Sequence, residues 1–551
     1  MNALLVTLLA PVFGALVLTV LRPLRWAGWL NVAVSAVSFA AAVVLAWTVA
    51  GSGEVAGLTF RVDAFNVYLL VLTAFVGLTT SIFSRPYMRY VCEAGMTGER
   101  GMRIYHAMYQ AFMFTMLLAL STDNLGVLWV AVEGATLATV LLVSLYRTPE
   151  AVEAAWKYFV LCGVGIALAL FGTVLTYFAA QHVIADAEAG LLWSTLYRHA
   201  GQLEPAVMRI AFVFLLVGYG TKVGLVPMHQ WLPDAHSEGP TPMSAVLSGL
   251  LLNVALYAVV RLKMLVDGSL AATATPQLAG YLLMGFGLVS FLTAGLFLHR
   301  QRDIKRMFSY SSIEHMGLMT FAFGIGGPLA TFGALLHMLV HSFTKSAIFV
   351  TVGHAAHIAG TQSIDHIRGL IRTQPSVGWA LLIGVAAIAG FPPFGVFTSE
   401  FLLLTATMQS QPWLTVALLT GLAVAFAGLF RHIHRWSTAP RRKGSSRCRP
   451  TCCPWRFTSG WCCGSASRSR PSSRAGWTSP PSSSPGRASY DRVADRFPGS
   501  PDRRGYRRPG RRFDLLGTRP ALGTAGRRLG DGRAPGGRRG LPSRRCLGRS
   551  A

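Results

Sequence analysis

Apolar segments of about twenty residues, the length a helix needs to cross the hydrocarbon layer, follow one another with short polar links over most of this chain. In that layer every backbone polar group must be satisfied inside the segment, so a chain built this way is expected to form a bundle of membrane-spanning helices. The segments fall near 2–21, 28–49, 64–84, 106–120, 122–145, 157–180, 208–230, 243–262, 276–298, 307–326, 329–357, 377–408 and 412–431. The fold class expected is therefore an all-α polytopic membrane protein with about thirteen transmembrane helices. The first segment runs into Leu21-Arg22-Pro23 with no small-residue cleavage site, so it reads as a retained span rather than a signal peptide.

Charge divides the chain in two. Up to Trp436 there are 23 basic and 18 acidic residues, whereas residues 437–551 hold 27 basic and 5 acidic ones. A basic nucleic-acid-binding globule is excluded by this distribution, and a disulfide framework by the placing of only Cys92 and Cys162 in the body. Lys and Arg in short loops set orientation. With the N-terminus outside, sixteen face inward, from Arg22 to Arg435, against five facing outward: Arg61, Arg198, Arg209, Arg261 and Lys263. Arg261 and Lys263, together at one outward end, run against the trend.

Four spans carry ionisable groups that an insertion scale penalises by about 2.5–3.5 kcal/mol each at mid-membrane. They are Glu133, Lys222, the stripe His337, His341 and Lys345 at four-residue spacing, and Glu400. Each has a structural reading: an ion pair between Glu133 and Lys222, core histidines or a metal site in the stripe, and a Glu400 side chain snorkelling to an interface. Together, on separate spans, they point to a hydrophilic route through the bundle, where burial and mutual charge make proton exchange possible. Two of these spans are interrupted beside the charge, one by Pro227 and the other by Pro392 and Pro393. Such breaks mark transporter sites because unwound backbone offers polar groups at membrane depth, although either alone would also serve as a plain proline kink.

The segment KVGLVPMHQWLPDAHSEGPTPMSAVLSGLL resembles the signature of the antiporter-like proton-translocating subunits of complex I, of multisubunit cation/proton antiporters and of membrane-bound hydrogenases. SYSSIEHMG, HMLVHSFTKSAIF and FPPFGVFTSEF follow in the matching order, so the resemblance covers roughly residues 60–430. Within that family the stretch from WVAVEGATLATVLLVSLYRTPEAVEAAWKYF onward looks most like the large antiporter-like membrane component of hydrogenase-4 or formate hydrogenlyase type complexes. The resemblance implies two inverted repeats broken near 227 and 392, fourteen spans in an intact reading frame, and roles for single residues. Glu133 would modulate the proton affinity of Lys222, Lys345 with His337 and His341 would connect the halves, and Glu400 would be the terminal ionisable group. Asn253 falls where many relatives carry a linking lysine, so the link would run through water, His315 or the histidine stripe.

These readings give an organisation: N-terminal helices over 1–121, a translocating core over 122–408, a last helix over 409–436, and an Arg/Ser/Pro/Gly-rich tail over 437–551. The function expected is proton translocation in a hydrogenase-4-like or NADH-quinone-oxidoreductase-like complex. The expected partners are other membrane subunits, a peripheral hydrogenase or dehydrogenase module that supplies the electrons, and the lipid bilayer, with no nucleic acid. No Gly-rich dinucleotide turn and no cysteine cluster occur in the body, so no cofactor is expected in this chain. A Na⁺/H⁺ antiporter subunit and a non-pumping scaffold are the alternatives. The expected location is a bacterial or archaeal cell membrane. The tail reads as disordered by composition and as an out-of-frame translation: Arg435-Trp436-Ser437-Thr438-Ala439 can be encoded CGA TGG TCT ACG GC, bases that in another frame read Met-Val-Tyr-Gly. On that reading its paired cysteines, Cys452, Cys453, Cys462 and Cys463, are accidental.

Overall fold

The computed structural model describes residues 1–20, 24–57 and 59–437. The tail and its cysteines, like Arg22, lie outside the described residues. Six helices open the chain: α1 Asn2–Val20, α2 Leu24–Ser52, α3 Ala64–Glu93, α4 Glu99–Ser121, α5 Leu125–Val143 and α6 Pro149–Ala180. A short antiparallel hairpin, β1 Val55–Ala56 and β2 Arg61–Val62, joins α2 to α3 with Val55 opposite Val62. Next come α7 Pro205–Val223 and α8 Trp231–Glu238, then α9 Thr241–Val246, which passes through one π-helical turn at Leu247–Leu251 into α10 Leu252–Leu270. The remainder is α11 Leu278–Leu298, α12 Ile304–Ile325, α13 Gly327–Ala359, α14 Pro375–Ile388, α15 Gly395–Ser410 and α16 Pro412–Ser437.

Local chemistry sets these boundaries. Asp63 caps α3 through the amides of Phe65 and Asn66, and Asn66 returns the bond to the Asp63 amide. Asn124 caps α5, Thr148 caps α6 ahead of a first-turn proline, and Asp303 caps α12. Left-handed glycines, Gly224 and Gly360, stop α7 and α13.

Among the described residues eleven helical stretches are long and apolar enough to cross a membrane. The two expected spans not among these eleven fall on α12 and on the pair α14 and α15. The 22-residue α12 has the length, but Lys305, Arg306, Glu314 and His315 lower its apolar character. The other is the pair α14 and α15, each half being short. Depth in the bundle accounts for the polar helix: α12 and the α9–α10 crossing are enclosed almost wholly by protein, whereas α1, α2 and α16 leave most of their surface for lipid. Exposed tryptophans sit near helix ends on both sides, Trp26, Trp29, Trp156 and Trp379 at one and Trp47 and Trp413 at the other, as aromatic belts do at the two interfaces.

Helices in lipid associate by close packing rather than by exclusion of water. Between α11 and α12 the backbones touch: a Cβ on Gly287 would lie 2.5 Å from the Phe321 nitrogen, and one on Gly317 would lie 2.6 Å from the Phe291 nitrogen.

The cations that ran against the loop-charge trend are partnered. Arg261 forms a two-bond fork with Asp63 at 2.7 and 2.6 Å, its guanidinium 4.5 Å from the Trp193 ring centre and 5.2 Å from those of Phe65 and Tyr257. Lys263 pairs with Asp267 one turn on, and Arg61 with Glu54 at 2.9 Å. These three are neutralised in place, so they carry little weight as free loop charge. On the opposite side Lys157 and Arg306 both reach Asp234, and Lys305 is buried, donating to the Ser237 and Gly239 carbonyls.

Candidate functional site

The first half of the site forms where α7 stops. Gly224 takes a φ of +84°, the Val226–Pro227 peptide is cis, and Met228–Gln230 makes one 3₁₀ turn before α8 starts. Unwinding frees backbone groups that must find new partners. The Val226 amide donates to Ser290 Oγ at 2.9 Å, and the Trp231 indole N–H donates to the Thr221 carbonyl at 2.8 Å. Lys222, next to last in α7, is fully buried. The carbonyl end of a helix carries partial negative charge, so an ammonium is favoured there. Its Nζ donates to Thr136 Oγ1 on α5 and lies 5.2 Å from the Tyr158 ring centre. That ring stacks on Trp231 at 4.6 Å, and its hydroxyl is 2.6 Å from Thr139 Oγ1.

Glu133 is half-buried, one turn before Thr136, and its Oε2 has no hydrogen-bond partner. Among the described residues no ion pair within 4.0 Å joins it to Lys222. The structural ion pair is thus not formed, and the attraction between the two charges acts across the Thr136 hydroxyl.

The second half forms around α13 and the break between α14 and α15. His337, His341 and Lys345 lie on one face of α13, all fully buried, as their spacing requires. His337 Nδ1 is 2.9 Å from Ser399 Oγ on α15, and its Nε2 is 3.0 Å from His315 Nδ1 on α12. His341 stands beside them, 5.6 Å from His315 between ring centres, with both nitrogens unpartnered. Lys345 Nζ donates to the Phe308 carbonyl at 3.0 Å. Among the described residues no group of three or more His, Cys, Asp or Glu is arranged to hold a metal ion.

Pro392 and Pro393, joined by a cis peptide, separate α14 from α15, and Gly390 turns the chain with a φ of +72°. Glu400 stands in the second turn of α15, 8 % exposed, in a cavity that Gly390 also lines. A side chain at 390 would be strained by that φ, and its Cβ would fall within the van der Waals shell of Glu400 Oε2. Gly390→Val is therefore expected to displace the Glu400 carboxyl and to slow proton transport by roughly tenfold or more, with the assembled complex still isolated intact. A pH-gradient assay beside size-exclusion chromatography checks both.

Between the halves Asn253 is a tie rather than a relay. Its Nδ2 donates to Ser342 Oγ at 2.7 Å and to the Gly249 and Met338 carbonyls at 3.3 Å, joining α10 to α13. One turn earlier Ser248 Oγ, in the π-helical turn, is 2.7 Å from Ser312 Oγ on α12. Ser312 donates to the same Phe308 carbonyl that accepts from Lys345. The His315–His337–Ser399 chain runs from α12 through α13 to α15 and stays within the second half.

The ionisable residues expected from the sequence thus collect in two groups: Glu133 with Lys222, and the stripe with His315 and Glu400. Several partners were missed. Thr136, Ser399 and the Ser248–Ser312 pair are ordinary helix residues that carry no signal of their own. Glu314 is different: it is 3 % exposed in mid-helix, and its Oε2 is unpartnered. The mid-span charge rule that found Glu133 would have found it too.

Residues 122–425 match the family described as NADH:quinone oxidoreductase/Mrp antiporter, TM. The chain is 49 % identical over 439 residues to a hydrogenase-4 component F homolog of Methylacidiphilum infernorum, covering 80 % of this chain and 90 % of that relative. It is 28 % identical over 359 residues to hydrogenase-4 component B of Escherichia coli, spanning 63 % of this chain and about half, 51 %, of that longer protein. The fold is similar to that of a chain in the membrane-bound sulfane sulfur reductase, an archaeal respiratory membrane complex, with a TM-score of 0.71 at 22 % identity over 80 % of this chain and 91 % of that one.

Proposed function

This chain belongs to the NADH:quinone oxidoreductase/Mrp antiporter transmembrane family, and from that membership we propose that it is a multi-pass membrane subunit of a hydrogenase-4-like or complex-I-like assembly, in which it moves protons across the membrane. Partner subunits carry the electrons; this chain supplies ionisable side chains and no redox group. The observation that carries the reading is the burial of Lys222 at the broken end of α7, bonded to Thr136 one turn from the unpartnered Glu133 oxygen. An ammonium in a protein interior is held at a cost in stability, which favours a functional role for it.

In this reading residues 122–408 are the translocating core, 1–121 and 409–436 flank it, and the N-terminus faces out. A change in a neighbouring subunit alters the field of Glu133 at Lys222. The proton released moves by way of the serine-lined middle to Lys345 and then to the Glu400 cavity. Its exit there completes one transfer.

Glu133→Gln removes the field and keeps the shape, so proton translocation by the assembled complex in vesicles is expected to fall by about 10²-fold while electron transfer by the peripheral module continues. Full gradient formation in that variant would point to the scaffold alternative. A gradient that forms only with sodium on the opposite side would point to the Na⁺/H⁺ antiporter alternative.

A further inference from the structure

Glu314 is the buried ionisable group that the route just described leaves unused. It lies on α12, enclosed by protein, in the same cavity as Glu400, walled by the break after α14, by α15 and by α16. Apart from these two carboxyl groups the wall is apolar, with Ile388, Phe397, Leu422 and Phe426 among its members. The unpartnered Oε2 of Glu314 is the second observation: a carboxylate oxygen left without a hydrogen bond in a protein interior is open to accept a proton.

The surrounding charges define how many protons fit. Lys345 on α13 is the cation whose field reaches Glu314, but no ion pair within 4.0 Å joins them. His315, on the same helix as Glu314, and His337 and His341, on α13, are the remaining titratable groups near it. They interact with one another, with Ser399, with Lys345 and, from His315, with the Ile388 backbone, and none donates to either carboxyl. Two carboxylates in one poorly solvated cavity repel each other, so both cannot be ionised together. With Lys345 charged, one ionised and one protonated carboxyl leave the group neutral.

We propose that Glu314 and Glu400 form a two-carboxyl exit site that holds one exchangeable proton, with Glu314 receiving it from the Lys345 side and Glu400 releasing it. This rests on the proton-translocating reading above. In the resting arrangement Lys345 is an ammonium, Glu314 a carboxylate and Glu400 a carboxylic acid. The N–H bond of Lys345 breaks and an O–H bond forms on Glu314, which leaves three neutral groups. Glu400 then loses its proton to the outlet, the proton on Glu314 passes to Glu400, and Lys345 takes up the next proton. One proton enters and one leaves per cycle, and no bond other than N–H and O–H is made or broken.

The test uses the assembled complex containing the full chain, reconstituted in vesicles, with Glu314→Gln, Glu400→Gln, the double variant and Glu314→Asp. Transport is read as the rate of pH-gradient formation, and the proton itself by the carbonyl-stretch band of a protonated carboxylic acid in infrared difference spectra. The expected result is a fall of about 10²-fold in transport for either glutamine variant, with no further fall in the double variant and partial retention in Glu314→Asp. The difference band should be lost in each single variant, because a partnerless carboxylate has no proton to share. A Glu314→Gln complex that keeps both transport and band overturns the proposal, as does an additive loss in the double variant. If Glu314→Gln fails to assemble, a Glu314→Asp complex with a band unshifted from the parent overturns it equally. Lys222→Met, run alongside, separates the two levels: normal transport in that variant sinks the translocation reading itself, whereas loss there with normal transport in Glu314→Gln sinks only the exit site.

Discussion

Replacement of Lys222 by methionine is expected to abolish proton translocation and to leave the fold at least as stable as before. The side chain is fully buried, and its nitrogen reaches the Thr136 hydroxyl and the Cys162 sulfur but no carboxylate within 4.0 Å. Burial of an ammonium without a contact ion pair is unfavourable, so a methionine of similar length removes that term while filling the same space beside Tyr158 and Trp231. Stability and transport therefore change independently, which a purely structural lysine would not allow. The loss expected is roughly 10²–10⁴-fold in the rate of gradient formation, measured in vesicles with a pH-sensitive dye. Thermal unfolding of the purified complex should show no decrease in midpoint.

Arg261→Leu should have the opposite character, a large effect on stability. The fork to Asp63 fastens the middle of α10 to the N-terminus of α3, and the guanidinium is boxed by Phe65, Trp193 and Tyr257. Removal leaves Asp63 with its capping amides and with Arg61 at 4.0 Å, and breaking a buried pair from one side costs about 3–5 kcal/mol. Because Asp63 keeps some exposure at its side chain, 19 %, the low end is expected. The pH dependence gives a second readout. Burial pushes the Asp63 carboxyl up, but Arg261 and the capping amide of Asn66 outweigh it, so the net position is below the ordinary carboxylate range. A depressed folded-state value contributes stability above the unfolded value, lost as pH falls through the folded one. Without Arg261 the burial effect dominates, so the deficit of the variant should shrink toward acid pH as Asp63 takes up a proton. Denaturation in mild detergent at neutral and acid pH measures both.

The sequence is informative wherever one residue bears a cost by itself. An ionisable group in an apolar span is unfavourable whatever its neighbours, so Glu133, Lys222, Lys345 and Glu400 could be picked out singly, and a proline in a span interrupts its helix, which located both breaks. Partnership is a different matter. Asp63 and Arg261 are 198 positions apart, and nothing local to either says that they meet. Arg261 therefore looked like a loop charge on the wrong side, when it is a neutralised tie. Asn253 looked like a missing relay and is a tie as well, because its partners, Ser342 and two carbonyls, come from a packing that no local pattern encodes. Glu314 was legible by the single-residue rule but sat inside a stretch used only for its family likeness. The need for glycine at 390 becomes visible only with Glu400 Oε2 against its backbone.

The glycine contact of α11 with α12 bears on what can move during turnover. Two helices whose main chains abut at Gly287 and Gly317 have no side-chain cushion to deform, so they travel as one stiff plank or stay still. For this pair, sliding or splaying is closed off, so α11 and α12 form a fixed wall against which the neighbouring hydroxyls, carboxyl tips and unwound stretches can rearrange.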